Sequence, residues 1–298
     1  MNYSTKTFDR WKHLLPHSWP YKVYKQYNEE LSAYLWTSDS SHKYVNTQLV
    51  KNHVRDTDDA KTHFRLPLTV WNFVTVKDWM KAYDEMQNWV RLNCVMSLSA
   101  CLETYMASVI SLAIESDPGV LLGTTHAIDG AMLLKHNQLQ PDVYKNQMKK
   151  CVEGKWGERI SAIRKLFGTC PSLLESNKNE LEAMRLMRNK VGHAFGRDIE
   201  AARDFTQIAK PAPDRVSIDR LKKWMKCAFE VVGAIDTFLL DNHIGEYQSI
   251  LAYHEHKSSW NALTSTEKAR AFKQLYGATD NQIGKRFCVE LVDYYNKL

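Results

Sequence analysis

The 298 residues are 44% hydrophobic and 25% charged, with a net charge of +6 at neutral pH. These are globular values and exclude bulk disorder, and eight prolines with twelve glycines exclude a fibrous or low-complexity chain. The length fits one large domain or two small ones, enough to bury a core without disulfide or metal staples. No uninterrupted apolar run approaches the roughly 18–20 residues of a membrane span, so no membrane partner is expected. Residues 1–20 lack the apolar stretch of a secretory signal. The six cysteines have no C-x-x-C pair and several sit in apolar stretches, which predicts reduced, mostly buried thiols and a cytoplasmic location. No metal or other cofactor is expected: among eleven histidines only His254 and His256 are close, and no cysteine pair supports them.

The expected fold is mainly α. An N-terminal extension, residues 1–76, is rich in aromatics, including Trp11, Trp19, Tyr21, Tyr24, Tyr27, Tyr34 and Trp36. These rings either pack on the main body or, interleaved with Lys12, Lys22 and Lys25, offer a base-stacking surface. Residues 37–62 are polar and read as containing a loop, with Lys43 and Lys51 near a possible lid. Residues 66–76 alternate β-branched residues and predict one short strand or hairpin. From 77 to 116, apolar residues recur at three- and four-residue steps, which predicts one long helix or two with a bend. Asp117-Pro118-Gly119 ends it, because proline cannot continue the hydrogen-bond ladder.

A short helix is expected near 126–136 and an amphipathic one over 155–167, closed by Gly168. Asn177-x-x-Glu180 is a variant of the capping box before the next helix, which reaches Gly192, a place for it to end or kink. A polar connection over 196–216 leads to Ser217, which caps a strongly periodic helix. Residues 246–298 predict two or three short helices. The division expected is 1–76, a helical domain over 77–245, and a C-terminal helical extension over 246–298.

Residues 145–165 hold seven basic residues against two acidic ones. Lys149, Lys150, Lys155 and Arg159 belong to this run, which is either a solvated helical face or a phosphate-binding surface with salt-dependent affinity.

The most informative string is MRLMRNKVGHAFGRD, residues 184–198. It contains Arg188-Asn189-x3-His193, preceded by an amphipathic helix and followed by a long apolar one. This resembles the HEPN superfamily, whose ribonuclease members carry an Arg-x4–6-His motif with a polar residue after the arginine. CLETYM at 101–106, GERISAIRKLF at 157–167 and the final apolar helix fit the HEPN helical order, so the resemblance covers about residues 77–245.

The resemblance implies a metal-independent endoribonuclease that leaves 2′,3′-cyclic phosphate and 5′-OH ends. Such nucleases serve as toxins or abortive-infection effectors against phage. It implies Arg188 and His193 as catalytic residues, with Asn189 orienting the arginine or touching phosphate. A histidine can move the 2′-OH or leaving-group proton, and an arginine can hold the phosphoryl oxygens. Glu103 either pairs with Arg188 and holds its fork or is an ordinary surface glutamate, and Lys190 and Arg197, flanking the motif, either contact RNA phosphates or are solvated charges. Family members pair two motifs, so a homodimer with a composite site is implied, along with an RNA or protein antitoxin or regulatory partner. Where small HEPN toxins of one subgroup carry a modifiable tyrosine, this chain has Phe195. Five residues of ideal helix turn by about 500°, leaving Arg188 and His193 about 140° apart. They converge if the helix yields at Gly192 or if each faces a partner's motif. The alternatives are a non-catalytic HEPN module that binds RNA or protein, and an unrelated helical interaction protein.

Overall fold

Apolar residues at helical spacing set nearly every element of this chain. In the computed structural model, residues 7–67, 73–206, 208–279 and 283–298 are described. The protein is mainly helical, as expected, and among the described residues β structure is limited to two isolated bridges. The helices are α1 (Trp19–Lys51), α2 (Ala60–His63), α3 (Val76–Ser116), α4 (Gly130–Lys135), α5 (Pro141–Val152), α6 (Trp156–Phe167), α7 (Ser172–Ser176) and α8 (Lys178–Ala194). They continue as α9 (Ile199–Arg203), α10 (Ile218–Leu239), α11 (Tyr247–His256), α12 (Ser265–Thr279) and α13 (Lys285–Lys297).

Two compact units are interleaved along the chain. The first comprises Met1–Tyr24, Leu102–Asn179 and Phe229–Leu298; the second comprises Lys25–Cys101 and Glu180–Ala228. These limits fall inside α1, α3, α8 and α10 rather than between three consecutive segments.

In the first unit, the C-terminal part of α3 buries Leu102, Tyr105, Met106, Val109, Ile110, Ala113 and Ile114. Helix α5 packs on α6, α11 on α4, and α12 on α13. Tyr253 sits at the centre of an aromatic cluster, edge-on to Phe272 at 5.7 Å and to Tyr295 at 5.0 Å. Ser18 caps α1 by accepting from the Tyr21 N–H at 3.1 Å, and its own N–H donates to the fully buried Asp236 at 3.2 Å. Gly130 is required where α4 starts: a Cβ there would stand 1.7 Å from the Glu115 carbonyl oxygen.

In the second unit, α1 continues past the predicted loop at residue 37 to Lys51. Half-buried positions recur at Ser38, His42, Asn46 and Leu49, so this stretch is amphipathic with a polar seam. Ser38 donates to Gln87 Oε1 at 2.9 Å, and the His42 ring bonds Asp84 Oδ1 at 2.7 Å. Hydrogen bonds replace apolar contacts along this seam, which hid the helix from hydropathy patterning. Five of the eleven residues of the predicted strand over 66–76, residues 68–72, lie outside the described residues. Of its flanks, Thr75 forms an isolated bridge with Asp59 and Val76 starts α3.

Helix α3 is a single element of 41 residues. Polar residues interrupt its apolar runs, as expected, yet one 18-residue window is apolar and long enough, by length and composition alone, to cross a membrane. Fifty-six per cent of that window is buried in the structure, so its apolar character is used as packing surface. As expected, Pro118 ends the α-helix and opens a 3₁₀ turn, Pro118–Leu122. Gly168 closes α6 at φ 77°, and Ser217 Oγ accepts from the Arg220 N–H at 3.1 Å to cap α10. All six cysteines are free thiols, four of them buried; burial pushes Cys151 and Cys288 up to about 12.

Glu246 supplies a test of the first unit's interior. Burial raises its carboxyl to about 7, against hydrogen bonds from Ser249 and the Leu14 N–H and the charges of His13 and Arg10. A carboxyl raised in the folded state stabilises fully below its unfolded value of 4.5 and loses that contribution as pH rises through about 7. Relative to Glu246→Gln, the wild type should lose about 1–3 kcal/mol between about pH 5 and pH 8. Urea midpoints across that range check this; a constant difference would mean that Glu246 does not titrate there.

Candidate active site

Helix α8 carries the Arg188–His193 motif, and its burial pattern explains where each side chain points. Leu181, Met184, Val191 and Ala194 are buried. At about 100° per residue, Leu181, Met184 and Val191 span an arc of roughly 80°, and Arg188 falls inside it. Arg188 is accordingly half-buried, while Gly192 and His193 are exposed. Asn189 and His193, four residues apart, lie about 40° apart on the outer side.

The helix does not yield at Gly192. It runs unbroken to Ala194, and a Cβ at Gly192 would meet only Met96 Sδ, at an ordinary 3.7 Å. Arg188 and His193 of one chain therefore keep their separation around the helix. The link between their faces is Asn189, whose Oδ1 accepts from Arg188 Nη1 at 3.2 Å.

The end of α8 is a constrained turn. Phe195 takes φ 53°, uncommon for a bulky side chain, and Gly196 follows at φ 78°. The Gly196 N–H donates to the Lys190 carbonyl at 3.0 Å, and the Asp214 N–H donates to the Gly196 carbonyl at 2.7 Å. Lys190 Nζ closes the loop by donating to Asp214 Oδ2 at 2.8 Å, and this hydrogen bond raises the lysine's pKa. Asn88, buried on α3, holds the same loop at both ends of its amide. Its Nδ2 donates to the Asp214 carbonyl at 2.9 Å, and its Oδ1 accepts from the Val216 N–H at 3.1 Å. Arg91 Nε donates to the Val216 carbonyl at 2.7 Å.

The turn leaves two clefts beside the motif. One, of about 590 Å³, is lined by Trp89, Leu92, Phe195, Arg197, Lys210 and Arg215 among others. Its neighbour, of about 390 Å³, includes His193, Phe195, Arg197, Arg203 and Lys210. Phe195 is 67% exposed with its ring 6.0 Å from that of Trp89, so two aromatic faces stand among cationic side chains. Arg197 shapes both clefts: its Nε donates to the Pro211 carbonyl at 2.7 Å and its Nη1 to the Phe195 carbonyl at 3.2 Å.

The structure sorts the other predicted residues. Lys149 and Lys150 are exposed on α5, and Lys155 is exposed at the head of α6, all in the first unit. Arg159 corrects the expectation of a surface phosphate contact. It is buried, with Nη2 donating to Glu103 Oε1 at 2.9 Å, Nε donating to the Gly154 carbonyl at 3.0 Å, and its guanidinium over the Trp156 ring. Glu103 belongs to the first unit and Arg188 to the second. The N-terminal aromatics divide: Tyr21 and Tyr24 are buried, whereas Tyr27, Tyr34 and Trp36 are exposed, Trp36 with Lys222 Nζ 4.8 Å from its ring. Glu180 accepts from Lys223 Nζ at 2.5 Å and Trp224 Nε1 at 3.2 Å; the lysine bond leads in lowering its pKa.

His254 and His256 do not share a site: His254 Nδ1 bonds the Tyr295 hydroxyl and His256 Nδ1 the Ala252 carbonyl. Among the described residues, Asp117, His126 and His243 are a group able to hold a metal ion. The sequence does not group them, because His243 stands far along the chain from Asp117 and His126. No protein-family model, curated protein or solved structure matches this chain.

Two substitutions test the geometry of the motif helix. Gly192→Ala, in an unbroken and exposed helical turn, should stabilise by about 0.5–1 kcal/mol. Gly196→Ala forces a left-handed alanine and a Cβ 2.7 Å from Leu92 Cδ1, and should destabilise by about 1–3 kcal/mol. Thermal unfolding of both variants checks the pair; a loss at Gly192 would indicate a bent helix.

Proposed function

We propose that this chain is a metal-independent endoribonuclease of HEPN type, acting as a homodimer with a composite site. The observation that carries the reading is the hydrogen bond between half-buried Arg188 and Asn189, on the same helix as the exposed His193 and beside an aromatic and cationic cleft. The RNA 2′-oxygen attacks the adjacent phosphorus, forming the cyclic phosphate and releasing the 5′-oxygen. His193 takes or gives a proton, and the same histidine of the second copy serves the other transfer. Arg188 holds the phosphoryl oxygens and offsets their growing charge, with Asn189 fixing its fork. Phe195 and Trp89 stack a flanking base while Lys210 and Arg215 meet the backbone. Action as a toxin or antiphage effector, and restraint by an antitoxin, extend the same family resemblance.

A second reading, RNA binding without cleavage, draws on the half-buried position of Arg188 and on the same cleft. Incubating total cellular RNA with protein in EDTA and mapping the ends separates the two. His193→Ala and Arg188→Ala should each lower cleavage by about 100-fold or more. Phe195→Ala should weaken RNA binding about tenfold, in line with a lost stacking contact. Equal cleavage by wild type and both motif variants would overturn the site; salt-sensitive binding with no cut ends would favour the second reading.

A further inference from the structure

We propose that Asp117, His126 and His243 form a binding site for one divalent transition-metal ion of the zinc type, joining the chain just beyond α3 to the turn that follows α10. This site lies wholly within the first unit and its argument does not use the Arg188–His193 motif.

Two imidazoles and one carboxylate are the donor types that such ions take, and the donor atoms here are already gathered. His243 Nδ1 stands 3.0 Å from Asp117 Oδ2, and His126 Nε2 stands 3.9 Å from the same oxygen. All three ligand atoms lie within 4.8 Å of one another. In a tetrahedral site with bonds of about 2.0–2.1 Å, neighbouring donors are about 3.4 Å apart. Shifts of around half an ångström bring the two measured separations to that value. The Asn242 carbonyl oxygen, 2.8 Å from His126 Nε2, or a water can supply the fourth position.

The surroundings hold this set in place through backbone bonds and ring packing. Asp117 is fully buried, and its Oδ1 accepts from the His126 N–H at 2.9 Å, which leaves Oδ2 to the rings. His243 lies in a π-helical segment, Leu240–Ile244, a local widening that recurs at functional positions. His126 is held at φ 61° with its ring stacked 3.8 Å from that of Trp11. Phe167 and Phe238 cover the His243 ring at 4.8 and 5.9 Å. Arg10, above the Trp11 ring, is ion-paired to Asp129 at 2.9 Å. His126 is partly exposed and gives an ion its way in. On binding, the N–H shared by His243 and Asp117 gives way to the metal bond, with the ring proton moving to Nε2. His126 makes the converse change, from Nε2 to Nδ1.

The test uses the full chain without an affinity tag, stripped with chelator and titrated with Zn²⁺ or Co²⁺. The expected result is one equivalent bound, a visible Co²⁺ band of tetrahedral type, and a raised melting temperature. His126→Asn, which tolerates the left-handed backbone, should keep the fold, lower affinity at least tenfold and abolish the melting shift. His193→Ala should bind metal as wild type does, which separates this site from the nuclease reading. Absence of stoichiometric binding by the wild type would overturn the proposal. So would undiminished binding by His126→Asn with the same spectrum, which would place the ion elsewhere.

Discussion

One buried guanidinium fixes the interior of the first unit. Arg10 donates Nε to Asp129 Oδ1, Nη1 to the Ile244 carbonyl, and Nη2 to both the carbonyl and hydroxyl oxygens of Ser116, all at 2.9 Å. A charged group withdrawn from water is tolerable only when its donors are met and a counter-charge is near, and both conditions hold here. The same bonds tie the N-terminal segment to the end of α3, the cap of α4 and the π-helical turn. Ser116 relays the constraint by donating to the His243 carbonyl at 2.7 Å. Asp117 and His243 therefore meet because their neighbours Ser116 and Ile244 are both held by one arginine.

The second unit uses a neutral group for a comparable task. The Asn88 amide reads one carbonyl and one N–H of the loop after α8, which fixes both position and register. Lys190, expected as a phosphate contact, donates to Asp214, and Arg197, expected likewise, donates to the Pro211 and Phe195 carbonyls. The cleft beside His193 thus owes its shape to residues whose charges hold the loop. Beyond that frame, the cleft that includes His193 offers Arg203 and Lys210, and the larger cleft next to it offers Lys210 and Arg215.

The sequence made the long helices legible wherever apolar residues carried the period, as in α3, α6 and α10, and it marked their ends through Pro118, Gly168 and Ser217. It hid the second half of α1, because Ser38 and His42 face Gln87 and Asp84 through hydrogen bonds that no hydropathy pattern records. It could not expose Arg159 as interior, since a run of basic residues reads the same whether one member turns inward or none does. Glu103 and the Gly154 carbonyl, which draw that guanidinium inside, are visible only in three dimensions. The motif at 188–193 was readable as a string, and so was its separation around an ideal helix, but not whether the helix bends at Gly192. A glycine predicts a bend only where its neighbours fail to support the helix, and Val191 and Ala194 bury themselves on either side of Gly192.

That continuity bears on how the proposed reaction would be built. With Arg188 inside the arc of buried residues and His193 on the outer side, one copy cannot bring both side chains to a phosphate by bending its own helix. Asn189 extends the arginine's polar reach toward the outer side, since its Oδ1 receives Nη1 while its backbone position lies a single turn before His193. Cleavage by 2′-oxygen attack needs one proton removed and one delivered, and each copy presents a single motif histidine on its exposed face. On the proposed reading, two such helix ends facing each other satisfy both needs without any bend: each contributes one histidine for proton transfer and one arginine–asparagine pair for the phosphoryl oxygens. The exposure of Gly192 suits this arrangement, because a residue without a side chain leaves room for a second helix to approach the motif closely.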